Sequence, residues 1–440
     1  MTAIPERRRR RTLVAAVTAT GLLVAAAAMF VVGVVTLANS EEGEAVGVDD
    51  RPREVFPATP NALVSVTDDD GNLASVAVMT LLPDGAGGSI VTMPVNSDST
   101  AGFGLQRRPL DELFDPELPD DFVMAVEDML SITIQRSTIL DPAGMAAIVE
   151  PVGSIDVVLP DDVIDSDAVD PALPDDDPTQ GVVVSAGPQT LSPEDVAAVL
   201  TAIDETGRAY AQHAIDVAMW SAIAARAPLT VAGESSGSAN GAGAPATAEE
   251  LVVELLSGEV AVRDISATRP GAATNPTEAD VVVLDRTDAA LVFAQVSPAL
   301  VSTPNPGLKI RVEAQYNDDQ VEQSDGLFDS ASDVAREFIG QMLFLQNNVV
   351  SADTAAVGAP EVTVIEITDP SRLEETEAAA EALFGEADVR VAEVVLEGVD
   401  LRVTLGMTYL IREMVRVGAG TDGAPADQTP ATTATVGGDG

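Results

Sequence analysis

Few residues in this chain can carry reactive chemistry, so each can be weighed singly. His213 is the one histidine among 440 residues. A lone imidazole acts as a general base when a hydroxyl nucleophile and an orienting carboxylate stand beside it. No such pattern of Ser and Asp surrounds His213, and a place on a helix surface is the simpler expectation. The aspartates at 161, 162, 165, 167, 170 and 175–177 supply the oxygen ligands that calcium prefers. They lack the spaced Asp-x-Asp-x-Asp-Gly loop and are expected to form a solvated acidic loop. Arg107 and Arg108 follow Gly104 and could enter a pocket from a loop; a solvated pair is the plainer reading. The glycine-rich stretch 233–244 lacks the Lys-Ser/Thr of a phosphate loop and reads as a linker. Trp220 falls on an apolar helix face and is expected in the core. The chain has no cysteine, which excludes thiol nucleophiles, disulfides and cysteine metal sites. No metal site is expected.

The charge balance narrows the partners. There are 23 basic and 71 acidic residues, for a formal charge of −48, and Lys309 is the only lysine. Nucleic acid is itself anionic and needs a basic footprint, so it is excluded as a partner. Such a surface suits polycations, divalent ions or high salt; the bland explanation is an acidic bias across the proteome of the source. Hydrophobic residues make up 46% and aromatics 3%. A sizeable core is expected, and it must be aliphatic.

The elements that would position these residues begin behind an apolar run. Arg7 to Arg11 are consecutive, and Thr12 to Asn39 carry no charge. About 20 apolar residues span a bilayer core, and basic residues stay inside. Residues 1–11 are therefore expected as a cytoplasmic tail, 12–39 as an uncleaved transmembrane signal anchor and 40–54 as a stalk. A cleaved signal peptide has a shorter apolar region. The bulk of the chain is expected outside the membrane.

Beyond the stalk, NALVSVT and LASVAVMTLL flank Asp68-Asp69-Asp70-Gly71-Asn72 and read as a hairpin. GGSIVTMP is a third strand. LPDDFVMAVEDMLS reads as a helix, with Phe122, Val126, Met129 and Leu130 on one face. The strand ITIQRSTIL, a helix started by Asp141 and Pro142 and the strand IDVVLP follow. GVVVSAG precedes a helix announced by Ser192, Pro193 and Glu194. A longer helix is expected from about Asp204 to Ala227, then the helix EELVVELL and the strand ADVVVLD. After a linker at 301–307, the strands LKIRVEAQYN, VTVIEIT and LRVTLGM alternate with the helices SASDVAREFIGQMLFL and PSRLEETEAAAEALFG. This alternation predicts an α/β sandwich with a mixed central sheet at 55–300 and a smaller α/β domain at 308–412. A disordered tail is expected over 413–440.

Several blocks, taken in order, resemble the LytR-CpsA-Psr family of cell-envelope proteins. They are the hairpin NALVSVTDDDGNLASVAVMTL, SIVTMPVNSDS at the family's Ile-Pro-Arg-Asp segment, and MAVEDMLSITIQRSTILDPAGMAAIVEPVGSIDVVLP. GPQTLSPEDVAAVL resembles its Leu-Ser-Gly-Glu-Gln helix and GRAYAQHAIDVAMWSAI its Arg-x-x-Arg-Gln-Gln helix. LKIRVEAQYND and LRVTLGMTYL resemble strands of the C-terminal LytR_C domain. The resemblance implies an anchored exterior protein that attaches glycopolymers from polyprenyl-pyrophosphate carriers to peptidoglycan.

The family's charged positions are altered here. Asn61 is assigned to the first-strand Asp, and Val95 and Asn96 to the Arg-Asp of the Pro-Arg-Asp segment. Thr201 and Ala211 stand where arginines are expected, while Arg208 and Gln212 are retained. Guanidinium grips phosphate oxygens bidentately, and each charge-assisted contact contributes about 1.5–3 kcal/mol. The expected function is thus a catalytically degenerate binding or scaffolding member, with no cofactor. Arg208, Gln212, Arg107 and Arg108 are the ligand-binding candidates. Its partners are expected to be the membrane, a polyprenyl lipid or cell-wall glycan, and an active paralogue. One alternative is an active transferase with a rearranged site built on Arg107, Arg108, Arg136 or Arg208, which alone would call for Mg. Another is an acidic adhesion or stalk protein that reuses the fold. An apolar groove lined by MAVEDML, MAAIV and VAMWSAI is expected to persist.

Overall fold

The structure is a computed structural model that describes residues 50–100, 107–168, 173–174, 179–204, 209–227, 245–271, 273–276 and 278–421. The expected anchor at 12–39, the tail at 1–11, most of the stalk, Arg208 and Asp170 with 175–177 lie outside the described residues. Among the described residues no helix is long and apolar enough to cross a membrane.

The first sheet is built from β1 (Asn61–Thr67), β2 (Leu73–Leu81), β3 (Gly88–Met93), β4 (Ser137–Leu140) and, far along the chain, β7 (Val260–Asp264). A two-stranded sheet beside it pairs β5 (Ile155–Leu159) with β6 (Gly187–Leu191). The first sheet runs in the order β7-β3-β2-β1-β4. β2 is antiparallel to both neighbours, whereas β7 parallels β3 and β4 parallels β1. Four strands therefore share one direction and end on one edge. The β1–β2 hairpin turns where Asp68 accepts from the Asn72 backbone N–H at 2.7 Å and its side-chain amide at 2.8 Å. Gly71, at φ +85°, supplies the left-handed step.

Alternate residues feed two cores. Ala62, Val64, Ala77 and Met79 face one that holds α2 (Pro142–Val149), α3 (Pro193–Thr201), α4 (Ala209–Ala224) and α5 (Ala248–Leu256). Leu63, Val76, Val78 and Val91 face the other, which holds α1 (Pro119–Leu130) and part of α6 (Arg286–Val296). Local signals explain the helix starts. Asp141 accepts from Gly144 N–H, and Ser192 and Thr247 each close a reciprocal capping box.

The second sheet orders β9 (Asn348–Asp353), β8 (Lys309–Glu313), β12 (Leu401–Thr404), β10 (Thr363–Ile367) and β11 (Ala387–Val391). It too is mixed, with β10 antiparallel to β12. Its core takes in α7 (Ala331–Phe344), α8 (Leu373–Phe384) and α9 (Met407–Thr421). The α/β architecture with a mixed central sheet is the one expected.

Several elements differ from expectation. The run 132–140 is a strand only over Ser137–Leu140. ADVVVLD contributes only Val283–Leu284 to a strand, because Val282 exchanges backbone hydrogen bonds with Asn96 and Asp98 instead. β7, α6, β9 and β11 were not anticipated. The segment expected as a disordered tail from 413 is helical through Thr421. There Tyr409 and Leu410 enter the core, and the buried Glu413 pairs with Arg416 at 2.5 Å.

The expected single groove is also redistributed. Val126 and Leu130 of MAVEDML lie on one face of the sheet, whereas Met145, Val149, Met219, Trp220 and Ile223 fill the core on the other. The sheet stands between helices that were expected to line one cavity.

Candidate functional site

In open α/β sheets, ligands gather at the carboxyl ends of parallel strands. Here β3 ends at Met93, β1 at Thr67 and β7 at Asp264. Pro94, Val95 and Asn96 leave the sheet at this edge, and α4 lays its first turns over it. Gln212 Nε2 donates to Val199 O of α3 at 3.3 Å and to Asp216 Oδ1 at 3.4 Å. His213 Nε2 lies 2.7 Å from Asp264 Oδ1. Thr92 Oγ1 donates to Arg263 O at 3.3 Å. The structure therefore gathers Gln212, His213 and the end of α3 beside the exit of Val95 and Asn96.

The polarity of this edge is unusual in what it lacks. Asp216 is buried on α4, facing Ser75 and Gln212. Burial pushes its carboxyl well above the usual range, and hydrogen bonds from Ser75 and Gln212 only partly oppose this. Among the described residues no Arg or Lys pairs with it. The other carboxylate, Asp264, is half-exposed and engaged with His213. Asn96 is 2% exposed and both of its side-chain amide atoms lack a partner, as does His213 Nδ1. Thr201 is buried, and its hydroxyl donates back to Ala197 O at 2.9 Å. No group of three or more metal-ligating side chains occurs among the described residues. The side chains of Gln212, His213, Asp216, Asn96, Thr201 and Asp264 offer amides, a hydroxyl, an imidazole and carboxyls, which are donors and acceptors for a neutral polar ligand, and no guanidinium or ammonium is among these six.

The remaining candidates fall elsewhere. Val95 packs into the core beneath α1 and does not line the edge. Ala211 is the third residue of α4. Arg107 is neither a solvated residue nor an open ligand: its guanidinium pairs with the buried carboxylate of Asp98, and its Nε donates to Thr274 O at 3.0 Å. Burial would raise the Asp98 carboxyl. Hydrogen bonds from Thr100 and Arg107, with the guanidinium's charge, outweigh that and hold it below the usual range. Arg108 is half-exposed and donates to Glu112 O at 2.6 Å. Asp161 and Asp162, of the expected acidic loop, accept backbone N–H groups at 2.9 and 2.7 Å. His213 is a buried partner of Asp264, not a surface histidine.

Asn61 lies away from this edge. It opens β1, whereas Asn96 follows the end of β3. Thr67, at the shared edge, lies six positions after Asn61, or roughly 20 Å along a strand. Arg136, just before β4, lies at the same far end. Asn61 is fully buried; its Nδ2 donates to Thr133 O at 2.8 Å and its Oδ1 accepts from Gln135 N–H at 2.8 Å. It clasps the approach to β4. The acid beside the shared edge is Asp68, whose carboxylate is taken up by the hairpin turn. A carboxylate cannot donate to Thr133, so Asn61→Asp should cost about 1–3 kcal/mol. Urea unfolding measures this, and an unchanged midpoint would make the clasp irrelevant to stability.

Sequence reasoning missed Asp98, Asp216 and Asp264. Asp216 was detectable as an acid four residues after Gln212 on an apolar helix. The other two depend on loop closure and on a strand that was not anticipated.

No family model matches the sequence, and no curated protein matches it. Solved structures of LytR-CpsA-Psr proteins are similar to the chain over about 55% of its length. TagV of B. subtilis has 17% identity and a TM-score of 0.35, over 57% of this chain and 100% of that one. The LytR-Csp2A-Psr enzyme of Actinomyces oris has 14% identity and a TM-score of 0.34, over 55% and 94%. The family protein YwtF (TagT), of B. subtilis, was solved with bound octaprenyl pyrophosphate; it has 14% identity and a TM-score of 0.33, over 56% and 94%.

Proposed function

We propose that this chain is a membrane-anchored, extracytoplasmic LytR-CpsA-Psr-like protein of a bacterial cell envelope that binds or scaffolds and does not transfer. Residues 12–39 form its anchor, 55–300 the family-like domain and 308–412 a LytR_C-like domain. Its partners are a polyprenyl lipid or cell-wall glycan and an active paralogue. The ordered sequence blocks support the family reading. One observation carries the degenerate reading: among the described residues Arg107, the arginine that follows Val95 and Asn96 in the chain, is consumed by Asp98, and the buried group that α4 turns toward Ser75 is a carboxyl, Asp216. A phosphoryl group brought against Asp216 would meet a carboxyl, and transfer chemistry needs its developing charge stabilised.

The test is an assay of the full-length protein on octaprenyl pyrophosphate with magnesium. No hydrolysis and no transfer to peptidoglycan are expected. Robust turnover lost in Arg208→Ala would replace this reading with the rearranged enzyme. Recovery of the protein wholly in the soluble fraction after cell lysis would remove the anchor.

A further inference from the structure

A cavity of about 530 Å³ lies between the second sheet and helices α7 and α8. Its floor includes Ile365 and Val403, and its walls include Phe338 and Met342. The cause is local to α8, which reads LEETEAAAEALF. Ala379 and Ala380 line the cavity, where larger side chains would close the space between helix and sheet. Native interiors leave few voids larger than a water molecule. This one has room for roughly 18 water-sized groups. Apolar hollows of this size with a few polar groups at the mouth are ligand sites in general.

The rim selects among ligands. Asp369, Glu375 and Asp400 line it together with Arg372, three carboxylates against one guanidinium. Outside the mouth the apolar surface continues. Leu345 and Leu383 line both this cavity and a second opening, which Phe344 also lines; Phe344 is 85% exposed. A long, flexible apolar body fits the hollow and its lip, and a positive head fits the rim.

We propose that this cavity binds a single long aliphatic chain ending in an ammonium head, the chemistry of an amine-headed lipid. The apolar stem lies between α8 and the sheet, and the ammonium sits among Asp369, Glu375 and Asp400. This site is separate from the carboxyl edge of the first sheet, so its failure would leave the reading of that edge untouched.

The experiment is photolabelling of the full-length chain with a diazirine-bearing hexadecylamine, with adducts located by mass spectrometry. Adducts are expected within 338–345 and 373–384, and excess unlabelled hexadecylamine should suppress them. The hexadecanoic acid analogue should label these segments about tenfold less, since its head would face three like charges and the single opposite charge of Arg372. Ala380→Phe should abolish the adducts. Ala379→Leu, at an exposed position, guards against misfolding of the first variant, with the thermal melt of each checked by circular dichroism. Adducts that survive in folded Ala379→Leu, that fall outside these segments, or that form equally with the acid would overturn the proposal.

Discussion

Asp98→Ala should lower the unfolding free energy by about 3–5 kcal/mol. The Arg107 side chain is 9% exposed and that of Asp98 1%, so removing the carboxylate strands a buried guanidinium. A backbone carbonyl at Thr274 remains, but it carries no charge. The pair also ties the segment after β3 to the chain near residue 274. Arg107→Met should cost less, because it removes the charge and keeps the apolar stem, and Asp98→Leu with Arg107→Met should recover most of the loss. The folded carboxyl sits below its unfolded value. Its contribution is therefore present above about pH 4 and fades as pH falls through the folded value. Urea unfolding of the single and double variants at pH 7 measures this. A neutral Asp98→Ala would mean that Arg107 is available to an anionic ligand, and the pyrophosphate reading would regain a cation.

Asp216→Asn should raise stability at pH 7 by about 1–3 kcal/mol. Here the sign is opposite. Burial holds the folded carboxyl above its unfolded value, so the folded state retains the proton more tightly. Asp216 is harmless below about pH 4, where both states are protonated. As pH rises, the unfolded state releases the proton first and stability declines. The amide keeps the shape and can still bond Gln212 and Ser75, so the variant should lose this slope. Melting curves between pH 4 and 8 should coincide at the acid end and diverge upward. A variant less stable at pH 7 would reveal a cation partner for Asp216 and put charge back into the site.

What was legible in the sequence was local. Asp141, Ser192 and Asp68 each act within four residues of themselves, and caps and turns depend on just such contacts. The α/β class followed from the alternation of elements, and the antiparallel step of the first sheet from the β1–β2 hairpin. Position along a strand was not legible, because β1 is buried on both faces and every residue of NALVSVT is equally enclosed. Nothing in that composition marks its carboxyl end, so the distance of Asn61 from the shared edge was not legible. The helix α6 was hidden for a related reason. An amphipathic period betrays a helix with one wet face, and α6 is enclosed almost all round, with Arg286 its one exposed residue. β7 has an exposed, alternating pattern at a sheet edge, with too few apolar residues to stand out. The Asp98–Arg107 pair joins residues nine apart in sequence, beyond the reach of any periodic signal.

That two-sided helix sets the grain along which the molecule comes apart. Ala289, Val292 and Phe293 belong to the core under the first sheet, while Leu291 and Ala294 belong to the core under the second. Asp288 reaches Arg336 of α7 at 2.5 Å and accepts the backbone N–H of Ser266, close to β7, at 2.7 Å. A chain severed in the connection at 301–307 would leave one fragment with a greasy stripe and the other with a missing wall. Neither half should melt as it does in the whole. Calorimetry of the intact protein should show one cooperative transition, and the two pieces, mixed after separate synthesis, should complement each other like the parts of a split reporter.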